Sequence, residues 1–110
     1  AEAYSKAGAD LILIHSKIDN PKEIFSFSKK FKKSKFFKPL IAVPSTYSKV
    51  TEKQLISSGF KIVIYANHLL RASYPAMENT ALSILKNSRS YEAEKKIISI
   101  KKILNIIPKE

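Results

Sequence analysis

Residues 11–17 read Leu11-Ile12-Leu13-Ile14-His15-Ser16-Lys17. Four branched apolar residues pass without a break into three polar ones. A strand with one wet face would alternate, whereas an unbroken run is what a parallel strand covered on both faces shows. Two further runs have the same character, Leu40–Val43 and Lys61–Tyr65. Each also ends in polar residues: Pro44-Ser45-Thr46-Tyr47 after the second and Asn67-His68 after the third.

Helical patterns fill the intervals. Ala1 to Ala7 reads as a helix already under way, stopped by Gly8. Asn20, Pro21 and Glu23 have the spacing of an N-cap, a first helical proline and a capping-box acid, and Ile24, Phe27 and Phe31 then recur at helical intervals. Thr51 and Gln54 predict a second capping box, with Leu55 and Ile56 inside the helix and Gly59 as its stop. After the third strand a helix is predicted to about Asn87, with Pro75 either kinking or starting it. Ser90 is placed as the cap of one last helix carrying Ile97, Ile100, Leu104 and Ile107 on a stripe.

Strands alternating with helices predict an α/β fold of parallel strand–helix–strand units. Three such strands make a poor free-standing domain, since both edges expose unpaired backbone groups. The expectation is therefore a partial domain over residues 1–110, with further strands supplied upstream or by a partner chain.

Composition narrows the function classes. There is no cysteine, which excludes disulfides, thiolate metal sites and a cysteine nucleophile, and suits a reducing cytoplasm. No apolar run approaches the roughly 18 residues of a membrane span. The net charge is +11, yet of 20 cationic residues only Arg71 and Arg89 are arginines, leaving 18 lysines. Readers of bases and phosphates lean on the arginine fork. The densest run, Lys29 to Lys38, contains Phe31, Phe36 and Phe37. They are either stacking platforms for a nucleic acid or, more in keeping with charge runs generally, the buried side of a lysine-faced helix and the loop after it. A small basic nucleic-acid-binding α/β module is thus the alternative from another class.

The polar strand ends are where an active site belongs in parallel α/β architectures. His15 sits at the rim of its strand, able to bind a carboxylate or phosphate or to move a proton. It is equally placed to be a sheet-edge histidine satisfied by a backbone carbonyl. Ser16, Lys17, Thr46 and Asn67 can meet an anion, and loop hydrogen bonding accounts for them as well. His68, beside Asn67, reads as a helix-capping residue. No Asp, Glu and His cluster has metal-ligand spacing, and the only glycines, Gly8 and Gly59, make no phosphate loop.

The stretches AEAYSKAGADLILIHSK, PLIAVPSTY and FKIVIYANHLLRASYPAM resemble, in order and spacing, the closing third of the phosphoenolpyruvate mutase family, within the isocitrate lyase and phosphoenolpyruvate mutase superfamily. The resemblance implies the last three or so strands of a (β/α)8 barrel, a cytoplasmic oligomeric enzyme, and Mg2+ as cofactor. It implies interconversion of phosphoenolpyruvate and phosphonopyruvate, the carbon–phosphorus bond formation that opens phosphonate biosynthesis. Phosphonopyruvate hydrolase and lyases of the 2-methylisocitrate type share the superfamily and remain open. By the same resemblance His15 matches a histidine that holds the substrate's anionic groups, making it the catalytic candidate, with Ser16, Lys17, Thr46 and Asn67 beside it. The partners implied are a small-molecule substrate and a second subunit against the last barrel helix (Pro75 to Leu85), with no specific nucleic acid and no membrane. The family's magnesium-site acids, mobile gating loop and substrate arginine come from earlier strands, so these 110 residues are expected to be inactive alone.

Overall fold

The computed structural model describes residues 1–106. The order of elements is α1 (Glu2–Lys6), β1 (Ile12–Ile14), α2 (Lys22–Phe31), β2 (Leu40–Ala42), α3 (Glu52–Ser57), β3 (Phe60–Val63), α4 (His68–Asn87), α5 (Tyr91–Glu94) and α6 (Ile100–Leu104). They divide into two compact units, Ala1–Ala66 and Asn67–Glu110.

The first unit is a three-stranded sheet in the order β1-β2-β3, parallel throughout. The apolar runs fall on these strands as expected. Across the sheet Ile12, Leu40 and Phe60 form one row, and Leu13, Ile41 and Ile62 the next; the register between β2 and β3 skips Lys61. This bulge keeps a charged residue out of the ladder. Because successive side chains point to opposite faces, the two rows meet different surroundings. Ile12, Leu40 and Phe60 are buried with Ile24 and Phe31 of α2, Leu55 of α3, Ala42 and Tyr47. Leu13 is 53% exposed and Ile62 41%. The sequence predicts cover on both faces, but among the described residues only one face has it.

α2 docks on α3 through polar bonds as well as the core. The Ser28 hydroxyl donates to the Ser58 carbonyl and Lys32 Nζ donates to the Ser57 carbonyl at 3.1 Å. Phe31 is buried, with its ring centroid 5.5 Å from both Phe27 and Phe37. It is core and no stacking platform. Phe36 is half-buried between the ammonium groups of Lys6 and Lys35, 4.5 and 5.1 Å from its centroid.

Gly8 and Gly59 both take left-handed φ values, 102° and 94°, just after α1 and α3. The Thr51–Gln54 capping box forms in both directions: Thr51 N donates to Gln54 Oε1 at 2.9 Å, and Gln54 N donates to Thr51 Oγ1 at 3.3 Å.

In the second unit α4 runs unbroken over 20 residues with Pro75 inside it, so the proline neither starts nor ends the helix. None of its residues is buried. α5 packs on α4 and buries Ala93. The single last helix expected after Ser90 is instead two short ones. Ser90 makes no side-chain cap, whereas Ser99 caps α6 by accepting from Lys102 N at 3.3 Å. The β-branched pair Ile97-Ile98 followed by a serine that bonds the backbone favours that break. Ile107 lies outside the described residues. None of the described helices is long and apolar enough to cross a membrane.

Candidate functional site

β1, β2 and β3 all point the same way, so residues 15–17, 43–47 and 64–66 leave the sheet at its carboxyl end. At the end of β1 the backbone passes directly into His15, which is exposed, Ser16, which is 3% exposed, and Lys17, again exposed. One polar side chain is thus turned inward and its two neighbours outward.

Ser16 turns inward because it has partners there. Its hydroxyl donates to Glu23 Oε2 at 2.6 Å and accepts from Ile18 N at 3.1 Å. Both polar atoms of the Ser16 side-chain hydroxyl are thus engaged within the protein. Glu23 was expected to close a capping box with Asn20. Instead α2 begins at Lys22 with Pro21 at its N-cap; Asn20 Oδ1 accepts from Lys22 N at 3.0 Å, and the carboxylate of Glu23 goes to Ser16.

After β2, Pro44 and Tyr47 are buried while Thr46 is exposed. Thr46 lines a groove of about 350 Å³ with Asp19, Asn20, Pro21, Ser48 and Lys49. The loops following β1 and β2 therefore share one concave surface, and it holds Thr46 but not His15 or Lys17. Tyr47 is 1% exposed and its hydroxyl is a buried oxygen without a hydrogen bond of normal geometry. Burial pushes this phenol above its ordinary 10.0, and the backbone at Val43 offsets only part of the rise. Beyond β3, Tyr65 Oη donates to Glu52 Oε1 at 2.9 Å, tying the strand's end to the start of α3. That carboxylate, by its hydrogen bond first, also raises the Tyr65 phenol.

Asn67 belongs to the second unit, where it is the exposed N-cap residue of α4 and makes no side-chain cap bond. The capping read from the Asn67-His68 pair is absent at Asn67. Among the described residues no group of three His, Cys, Asp or Glu can hold a metal ion. Near the first strand's loop the acids are Asp19 in the groove wall and Glu23 on Ser16. The donor set does not fit a magnesium site.

Sequence reasoning placed His15 and Lys17 at the exposed strand end but missed the Ser16–Glu23 bond. Its only signal was an acid seven residues beyond a strand-end serine, which the capping-box spacing absorbed.

Comparison with known proteins bears on the same residues. The family profile described as phosphoenolpyruvate phosphomutase matches residues 1–85. A phosphoenolpyruvate phosphomutase from Tetrahymena pyriformis is 38% identical over 106 residues, which is 96% of this chain and 34% of that protein. A phosphonopyruvate hydrolase from a Variovorax species is 36% identical over 106 residues, again 96% of this chain and 36% of the relative. The crystal structure of a phosphoenolpyruvate phosphomutase from Streptomyces platensis subsp. rosaceus superposes with a TM-score of 0.84 at 36% identity, covering 94% of this chain and 35% of that one. A phosphonopyruvate hydrolase solved with oxalate and Mg2+ superposes at 0.83, also at 36% identity. The chain spans about a third of the length of these relatives. These neighbours are (β/α)8 barrels, and the parallel sheet described above is a portion of such a barrel, its open row Leu13, Ile41 and Ile62 corresponding to the face a barrel turns inward. On the match of residues 1–85, the chain belongs to the phosphoenolpyruvate phosphomutase family.

Proposed function

We propose that the enzyme containing this chain interconverts phosphoenolpyruvate and phosphonopyruvate, and that these residues supply one sector of its active-site mouth. The observation that carries the reading is the likeness to phosphoenolpyruvate phosphomutases across 96% of the chain, including the strand end that presents His15. His15 then binds the substrate's phosphonyl or carboxylate oxygens as a hydrogen-bond donor. Lys17, Thr46 and Asn67 are secondary candidates on the same kind of strand-end loop. Ser16 acts within the protein, through Glu23. The magnesium that accompanies this chemistry would be held by carboxylates outside residues 1–110, and the chain alone would be inactive. In this reading the whole chain is one partial barrel domain of a soluble cytoplasmic enzyme, and the Pro75 to Leu85 stretch of α4 packs on a neighbouring subunit.

A second reading has specific support, since the Variovorax hydrolase is 36% identical over the same span. The two reactions part after a common substrate. The complete encoded protein, given phosphonopyruvate and Mg2+ and followed by phosphorus NMR, yields phosphoenolpyruvate if it is a mutase. It yields inorganic phosphate with pyruvate if it is a hydrolase. Absence of both products would overturn the proposal.

A further inference from the structure

Two places in this chain have the sequence spacing of a capping box, Asn20 to Glu23 and Thr51 to Gln54, and they behave differently. Gln54 folds back to Thr51 and completes its box. Glu23 leaves the α2 N-terminus with a single side-chain bond, in which Lys22 N donates to Asn20 Oδ1, and accepts instead from the Ser16 hydroxyl at 2.6 Å. Pro21 at the N-cap has no N–H for a capping-box acid to bind, and the Glu23 carboxylate grips the loop leaving β1.

The bond fixes more than Ser16. The serine also accepts from Ile18 N at 3.1 Å, so one hydroxyl joins the first turn of α2 to both sides of Lys17. Ser16 is buried and held by both bonds, while the residues directly joined to it, His15 and Lys17, are exposed. None of the described lysines forms an ion pair, so the carboxylate of Glu23 is directed to the serine alone.

We infer that Glu23 is a positioning residue, which through Ser16 sets the orientation of the His15 side chain toward the substrate. This rests on the reading of His15 as a substrate-binding residue. Glu23 touches no substrate itself; it removes the freedom of the loop that would otherwise let the imidazole swing. Displacement of a reacting or binding group by about 1 Å is enough to cost 100-fold in rate.

The test uses the complete encoded protein with Glu23→Ala, Glu23→Gln, Ser16→Ala and the Ser16→Ala/Glu23→Ala double variant. Glu23→Ala is expected to lower kcat/KM for phosphonopyruvate by about 10- to 100-fold. It should also move the ring-nitrogen NMR signals of His15, identified by their loss in His15→Ala. Glu23→Gln keeps a carbonyl acceptor for Ser16 and should restore most of both. Ser16→Ala should match Glu23→Ala, and the double variant should be no worse than either single one, as for two residues acting through one bond. Additive losses overturn the inference. So does a Glu23→Ala protein with unchanged His15 signals, whatever its melting temperature. If the wild-type protein turns over no substrate, the reaction assignment fails, and the His15 signals still decide the positioning role.

Discussion

A histidine at the end of β1 is exposed on one side of a backbone whose next residue is locked inward. For the complete enzyme, His15→Ala is expected to reduce turnover of phosphonopyruvate by about 100-fold, the range for loss of one donor to developing charge, with the melting temperature unchanged because the side chain is exposed. A coupled pyruvate or phosphorus NMR assay reads this directly. Tyr47 is the opposite case, a phenol sealed in the core without a proper bond for its oxygen. Tyr47→Phe removes a buried polar atom whose only partner is the Val43 backbone, in poor geometry, and is expected to leave stability within about 1 kcal/mol of wild type or to raise it. Its sign with pH is fixed. The folded phenol is raised above the unfolded 10.0, so the unfolded chain loses its proton first and stability falls as pH climbs past 10. Tyr47→Phe should shallow that alkaline decline in a denaturation series. At this scale the sequence located His15 at the strand's rim but gave neither Glu23's true partner nor the burial of Tyr47. Both depend on contacts between elements, and a seven-residue spacing holds no trace of a hydrogen bond across a loop.

Among the elements, α3 and its stop show how closely local chemistry is enforced. Gly59 stands at φ 94°, and a Cβ there would run into the Lys32 side chain that lies across it. Gly59→Ala is expected to destabilise by about 1–2 kcal/mol from the left-handed backbone alone, measured by urea unfolding. A further loss should follow because Lys32 must leave the Ser57 carbonyl. In a Lys32→Ala background only the backbone part should remain. Cap and stop at α3 were legible because both are set by residues a few positions apart. The division of the last helix was not: Ile97 and Leu104 share an apolar period that says nothing of the break between them, and the decision fell to Ser99. Pro75 was ambiguous for a similar reason, since an exposed helix tolerates a missing bond that a sequence rule treats as a boundary. The exposed stripe of that helix, with Met77, Leu82 and Leu85 each more than half exposed, leads to a prediction for the proposed subunit contact. Leu82→Lys in the complete protein should lower the oligomer mass seen by light scattering and spare the fold.

For the molecule as a whole, the alternation of apolar runs and helical periods made the parallel architecture readable from the sequence. The one-sided cover was not readable, because a run such as Leu11 to Ile14 records two buried faces without recording what buries them. Leu13→Asp separates the two situations. In the 110-residue chain Leu13 is half in solvent, and the charge should change stability little. In the complete barrel the same row faces the packed interior, and the substitution should cost more than about 4 kcal/mol, as burial of an unpaired charge does, giving an insoluble product on expression. The strand order has its own consequence. Among the described residues each strand is hydrogen-bonded only to the one before or after it in the chain, so a nick in the connection between two consecutive strands would separate no ladder partners except at that seam. Two polypeptides cut there would carry complementary edges, and mixing them offers a route to the same sheet rebuilt from two pieces.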